Sequence, residues 1–332
     1  PALADRLMFA AERSPHLPRQ VTLDAMAERP DDLWPRGEGH VAIGLPGAPA
    51  DQKGWVEPGG SFSPAERSFG VSIWIPGDPP QSSDTIPIDD IHQRFLPEAQ
   101  IGVEVETRWY VAQWRALDQG VWSLNLVSGE GATEIVVRSV GPAGGPIRKI
   151  ERSGEGLVVN DRWFVEGEIG LELVDVGSET ASGWVTRRDM PAVMTFEDGW
   201  GVARFRADKV ARLKIVDQVT EPAFTSLEIL PAGSGVDIEG ADPRLAVALD
   251  AQIRQILMGA VGEEARPGDP INYPLAWQRD AAFIVVALAR AGRLDAARVL
   301  SFDLAQRDFF GGFGSEGDAP GLALWALGMV SR

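Results

Sequence analysis

The spacing of apolar residues changes once along this chain of 332 residues, near residue 231. Before that point, from about 68 to 230, short runs alternate apolar and polar residues, as in Val103, Glu104 and Val105. After it, apolar residues recur every three or four positions, as in Leu249 and Ile253. A period of two indicates half-buried strands, and a period near 3.6 indicates helices. The chain therefore divides into a β region and an α region.

The β region, residues 1–230, is expected to form an antiparallel β-sandwich. Its many short strands have no helical pattern between them that would make parallel crossovers. Turn sequences such as GEGA at 129–132 and GPAGGP at 141–146 separate neighbouring strands. We expect two large sheets packed face to face, and then a linker at 231–242 that is rich in Gly, Asp and Pro.

The α region, residues 243–332, contains four predicted helices that begin near 243, 277, 294 and 319. The first and third carry polar residues on one side. The second and fourth are apolar almost all round, which predicts burial on every side. Alternating outer and inner helices are what two concentric helical rings require. We therefore expect the first helices of an (α/α)6 barrel, completed by the remainder of the barrel beyond residue 332 or by another subunit.

Composition excludes several classes of partner and cofactor. The net charge of −17, without a basic stripe, argues against nucleic acid. The longest apolar runs, such as 281–289, are too short to span a membrane. The absence of Cys excludes thiolate chemistry and leaves a cytoplasmic or a periplasmic location open for a soluble protein. No metal or other cofactor is expected, because His16, His40 and His92 lack metal-ligand spacing.

The stretch PGDPINYPLAWQRDAAF at 267–283 brings polar groups to the start of an apolar helix. Its loop carries Tyr273 and Trp277, and Arg279 and Asp280 open the second helix. Arg presents a rigid fork of N–H donors and Asp accepts hydrogen bonds, so the pair suits the vicinal hydroxyls of a sugar. The alternative interpretation is an ion pair at the helix start, with Trp277 in the core.

A second candidate segment is the loop FGGFGSEGDAPG at 310–321. Its glycines allow the backbone to approach a ligand closely, and Phe313 suits stacking on a sugar face. Glu316 and Asp318 direct carboxylates toward whatever the loop borders. The alternatives are that Asp318 caps the helix that follows and that Glu316 is a solvated loop residue.

The pattern Tyr-x3-Trp-x-Arg-Asp before an apolar helix resembles the glucoamylase-like enzymes of glycoside hydrolase family 15, in the six-hairpin glycosidase superfamily. The match lies in 273–283, with support from 313–325. It implies that Arg279 and Asp280 hold the non-reducing sugar, that Trp277 lines the pocket and that Tyr273 faces the scissile bond. Asp318 also fits the family pattern, whereas the segment 315–317, Ser-Glu-Gly, replaces the Arg-Pro-Gln of the family.

The resemblance implies inverting hydrolysis of an α-glucosidic bond, with an oligosaccharide or glycoside as substrate. Such a reaction needs one carboxyl as general acid and one as general base. The resemblance places both catalytic glutamates beyond residue 332, and within the chain only Glu316 is a candidate catalytic residue. The alternatives are a non-catalytic carbohydrate-binding or scaffold protein and a phosphorylase or trehalase of the same superfamily. A phosphorylase would require a basic anion pocket.

Overall fold

The computed structural model describes residues 40–77, 80–96, 100–129, 131, 133–180, 183–219, 243–267, 275–306 and 316–331. These residues form two compact units. The first comprises the described residues within 1–41, 54–96 and 102–221, and the second those within 42–53, 97–101 and 222–332. The end of the predicted β region, from residue 220, and the linker predicted at 231–242 lie outside the described residues.

Strands make up most of the described chain before residue 220. They are β1 (Val41–Ile43), β2 (Gly54–Val56), β3 (Phe62–Ser63), β4 (Gly70–Ile75), β5 (Gln81–Ser82), β6 (Ile91–Phe95), β7 (Gly102–Thr107), β8 (Tyr110–Asp118), β9 (Val121–Ser128), β10 (Thr133–Arg138), β11 (Lys149–Ser153), β12 (Gly156–Val159), β13 (Trp163–Thr180), β14 (Gly183–Arg187), β15 (Val193–Thr195) and β16 (Gly201–Asp217). Two short 3-10 helices occupy Ala50–Gln52 and Ile88–Asp90.

Antiparallel hydrogen bonds connect the strands β2 through β16 into one continuous, curled sheet. The main strand order is β2-β3-β4-β10-β16-β13-β12-β11-β15. From this path, β5 pairs with β4, β14 pairs with β13, and β9 pairs with β16. The remaining strands, β8, β7 and β6, extend outward from β9.

The two longest strands, β13 and β16, carry the sheet around its bend. They pair from Trp163↔Asp217 to Ser178↔Gly201, with register shifts between 167 and 175. The other edge of β16 pairs with β10 up to Ala207 and with β9 from Val210 onward. Bulges increase the local twist of a strand, so one strand can pair with neighbouring strands that run in different directions.

The predicted β-sandwich is therefore wrong, because the two expected sheets are one curled half-barrel. The alternation also predicts separate strands at 200–206 and 209–216, but Gly201–Asp217 forms one strand of 17 residues, β16. Asp208 and Lys209 lie at exposed positions of this continuous strand.

The core of the first unit is rich in tryptophan. Trp55, Trp114 and Trp122 are at most 1% exposed. Phe62 stacks on Trp114 with ring centroids 4.0 Å apart. Along β16 the buried side chains alternate with arginines and lysines on the other face. This period of two is the one read from the sequence, and most of the described tryptophans of the region are buried.

A buried polar network crosses the same unit. Arg138 is fully buried, and its Nε lies 3.1 Å from Glu179 Oε2 and its Nη1 3.2 Å from Asp84 Oδ2. Ser72 and Ser82 also donate hydrogen bonds to the carboxylate of Asp84. Burial opposes the positive charge, but the carboxylates of Glu179 and Asp84 outweigh it and raise the pKa of Arg138.

The second unit contains four α-helices. They are α1 (Pro243–Gly259), α2 (Gln278–Arg290), α3 (Leu294–Gln306) and α4 (Ala319–Val330). Small and branched apolar side chains from all four helices share one core, which includes Ile253, Val285, Leu300 and Ala326. All four begin within a residue or so of the positions predicted from the apolar spacing.

The expected opening of an (α/α)6 barrel is not what the described residues form. They contain only these four helices, which follow the sheet. α2 and α4 were predicted to be buried on every side, but Phe283 on α2 is 52% exposed, and Leu324 and Trp325 on α4 are 71% and 38% exposed. Each of these helices buries one stripe against its neighbours, and the opposite apolar stripe has no covering helix in the described part of the chain.

The second unit also buries a lysine. The side chain of Lys53 is inaccessible to solvent, and its Nζ donates a hydrogen bond of 2.6 Å to the carbonyl oxygen of Leu45. Burial penalises the charged ammonium and lowers the pKa of Lys53 to about 7. The amine is therefore half neutral near neutral pH.

Candidate functional site

Five of the seven predicted site residues lie in the described part of the second unit. Trp277 immediately precedes α2 and is half-buried, and Arg279 and Asp280 lie in the first turn of α2. Glu316 and Asp318 precede α4. Tyr273 and Phe313 lie outside the described residues.

Arg279 contacts both acidic residues before α4. Its Nη2 lies 2.8 Å from Glu316 Oε2, and its Nε lies 3.2 Å from Asp318 Oδ2. Asp318 occupies the N-cap position of α4 but makes no side-chain capping hydrogen bond. Its carboxylate faces Arg279 instead, so the three side chains connect the start of α2 to the start of α4.

Asp280 faces a different neighbour from Arg279. Consecutive helical residues point about 100° apart, so two adjacent side chains at a helix start diverge. Arg279 points to the start of α4, whereas Asp280 lines a cavity between α1 and α2. The structure therefore does not bring the predicted Arg-Asp pair together around one cavity. The alternative of an ion pair at the helix start describes Arg279 well, but not Asp280.

The cavity beside Asp280 has a volume of about 360 Å³. Gln252 and Gln255 enter it from α1, and Asp280 and Phe283 enter it from α2. Arg266, from the segment after α1, lines it as well. Each helix contributes residues three positions apart, which share one helix face. Small-molecule sites commonly have volumes of roughly 300–1,000 Å³, so the cavity is large enough for a small ligand.

Hydrogen-bonding groups and one aromatic ring line this cavity together. The amides of Gln252 and Gln255 can both donate and accept, and the carboxylate of Asp280 accepts. Arg266 forms an ion pair with Glu264, while its buried Nε has no hydrogen-bond partner among the described residues. Such a mixture of donors and acceptors matches a ligand with several hydroxyl groups.

Asp280 lacks a counter-ion within the described structure. It makes no ion pair or hydrogen bond with any described side chain, although it lies in the first turn of α2. The positive end of the helix dipole stabilises a carboxylate at this position without a neighbouring cation. The carboxylate is thus available to a ligand in the cavity.

Sequence reasoning missed Gln252, Gln255, Arg266 and Phe283. The two glutamines lie three positions apart beside the apolar stripe of α1, so they share one face of the helix. This spacing could have identified them, but the apolar residues of α1 alone were considered. Phe283 was assigned to the helix core. Its exposure depends on which helices surround α2, and the local sequence does not specify that.

Among the residues that the structure describes, no group of three or more His, Asp or Glu side chains is arranged to hold a metal ion. No helix in the described ranges combines the length and hydrophobicity needed to cross a lipid bilayer.

No family model matches this chain, and no curated protein matches it.

Proposed function

We propose that this chain binds a carbohydrate in the cavity beside Asp280, as part of a glycoside hydrolase similar to glucoamylases. The observation that carries the proposal is the convergence of Gln252, Gln255, Arg266 and Asp280 around the exposed ring of Phe283. Sugar hydroxyls both donate and accept, and this set supplies partners for both. The ring offers an apolar surface for the C–H face of a sugar.

The roles of the predicted residues change in this proposal. Asp280 accepts hydrogen bonds from the sugar, as the resemblance implies. Arg279 does not contact the sugar in this proposal, because its guanidinium is ion-paired with Glu316 and Asp318. We propose that Glu316 holds the start of α4 in place and that the residues that break the bond lie elsewhere in the protein. Trp277 supports the start of α2.

Among the alternatives, phosphorolysis receives the least support. A phosphorylase needs an excess of positive charge to hold phosphate. In the described lining, Arg266 is paired with Glu264 and Asp280 adds a negative charge, so the cavity carries no such excess. Hydrolysis and non-catalytic carbohydrate binding both remain compatible with the geometry.

Binding is tested by calorimetric titration of the 332-residue chain with D-glucose and maltose. We expect Asp280→Ala to weaken binding at least about tenfold, because a hydrogen bond to a charged group contributes about 1.5–3 kcal/mol. Asp295→Ala is the matched control, since this aspartate of α3 is 80% exposed and lies outside the cavity lining. An unchanged affinity in Asp280→Ala would refute the proposal.

Catalysis is tested separately with maltose and an aryl α-glucoside, by following the product anomer by NMR. Release of β-glucose supports the inverting hydrolase. Binding without turnover would instead favour the non-catalytic alternative. A rate that depends on added phosphate would favour a phosphorylase.

A further inference from the structure

Two features of the cavity beside Asp280 favour a positively charged sugar over a neutral one. The carboxylate of Asp280 has no counter-ion in the described structure, and the ring of Phe283 is 52% exposed beside it. An unpaired carboxylate and an accessible aromatic face both attract a positive charge. The amide oxygens of Gln252 and Gln255 add two further acceptors for an ammonium group.

Other residues keep this arrangement in place. Trp325 of α4 contacts Phe283 edge to face, with centroids 5.7 Å apart and the planes at 77°. The guanidinium of Arg290 lies 5.9 Å from the centre of the Trp325 ring. The Phe283 ring is therefore supported from one side while it lines the cavity on another.

The charge balance of the lining is negative. Arg266 is the only cation among the described lining residues, and Glu264 neutralises it through an ion pair. Asp280 then remains as the uncompensated charge. The chain as a whole carries a net charge of −17, which adds a long-range preference for cations over anions.

We infer that the cavity selects a sugar that carries a protonated amine, such as a 2-amino-2-deoxyhexose, over neutral and anionic sugars. This inference rests on the proposed carbohydrate function and adds the class of ligand. The ammonium group lies against the carboxylate of Asp280 and the face of Phe283, and the hydroxyls bind the glutamine amides. A phosphate or carboxylate substituent would be repelled by Asp280.

The test titrates the full chain with four probes at pH 6.5 and low salt: D-glucosamine, D-glucose, N-acetyl-D-glucosamine and D-glucose 6-phosphate. We expect glucosamine to bind at least about tenfold more tightly than glucose. N-acetylglucosamine, which has a similar shape without the charge, should bind no better than glucose, and the 6-phosphate should bind more weakly. Added salt should reduce the preference for glucosamine.

Two variants separate charge from shape. Asp280→Asn keeps the size of the side chain and removes its charge, so glucosamine should lose its advantage over glucose to within about twofold. Phe283→Leu removes the ring and should weaken glucosamine more than glucose. Phe302→Leu is the matched control, because Phe302 is 57% exposed on α3 and lies outside the cavity lining.

The outcomes show whether the amino-sugar inference fails alone or the proposed function fails as well. If glucose and glucosamine bind equally and Asp280→Asn weakens both alike, the carbohydrate proposal stands and the amino-sugar inference is overturned. If none of the four probes binds, the proposed function itself fails. Equal binding of cyclohexylammonium and glucosamine would overturn the inference as well, because charge without hydroxyls would then suffice. Thermal unfolding of each variant shows whether it is folded.

Discussion

The Nη2 of Arg279 lies 2.8 Å from Oε2 of Glu316, so the first turn of α2 is ion-paired to the residue that precedes α4 by three positions. Asp318 completes this contact on the Nε side. The pairing links the first turn of α2 to the residues immediately before α4. It also assigns to Arg279 a structural partner that the sequence motif did not reveal.

Replacement of Arg279 should affect stability only slightly. The side chain is 43% exposed, and ion pairs that reach solvent contribute about 0–1 kcal/mol. We expect Arg279→Ala to lower the free energy of unfolding by less than about 1 kcal/mol and to weaken carbohydrate binding less than Asp280→Ala does. Urea unfolding and calorimetric titration measure the two effects. A greater loss of binding in Arg279→Ala than in Asp280→Ala would show that Arg279 contacts the ligand.

Arg138→Met should destabilise the first unit strongly. The change leaves Glu179 and Asp84 buried without their cation, and breaking a buried pair costs about 3–5 kcal/mol. Arg204→Met is the control, since Arg204 pairs with Glu134 but is 22% exposed, and we expect a loss of roughly 1 kcal/mol. Denaturant unfolding followed by tryptophan fluorescence measures both. If both variants lost the same free energy of unfolding, burial of the Arg138 ion pairs would not determine the size of the loss.

Lys53 should make stability depend on pH. Because its pKa in the folded chain is about 7, below that of an exposed lysine, the unfolded chain binds an extra proton above pH 7. The contribution of Lys53 to the free energy of unfolding therefore rises with pH between about 7 and 10, by at most roughly 1.4 kcal/mol per pH unit. Lys53→Met should flatten this rise in urea unfolding at pH 6 to 9, whereas Lys209→Met, at an exposed strand position, should not. Parallel pH profiles for the wild type and Lys53→Met would refute the assignment.

Gly170→Ala should weaken the bend of the sheet. Gly170 has a φ of 57°, and an added Cβ would lie 2.1 Å from the carbonyl oxygen of Val210. Gly154 has nearly the same φ, 59°, with open space around its Cβ position, so Gly154→Ala isolates the backbone strain of about 1–2 kcal/mol. We expect Gly170→Ala to lower the melting temperature clearly more than Gly154→Ala. Equal shifts would mean that the contact with β16 relaxes without penalty.

Local patterns in the sequence were sufficient to locate the helices. The apolar spacing of α1, with Leu249, Ile253 and Leu257, depends on neighbours within one or two turns. The strand positions in the first unit followed from alternation in the same way. Neither signal specifies which distant strand forms the next hydrogen bond, and for this reason one curled sheet was mistaken for two.

The candidate site was only partly predictable for a related reason. Asp280 was found through a motif, but its cavity also needs Gln252 and Gln255 from a helix that lies about 25 residues earlier. Which residues meet across two helices depends on how the helices are rotated about their axes. The motif contains no information about that rotation, so it grouped Arg279 with Asp280 although their side chains diverge.

The paired strands β13 and β16 have a consequence for how the first unit melts. Strands on both sides of the bend hydrogen-bond to the same edge of β16, so neither portion retains its partner once that strand detaches. Loss of order at one end should spread to the other end. Calorimetry of this unit should accordingly give a single endotherm, and hydrogen exchange should report one shared opening energy for the amides on either side of the bend.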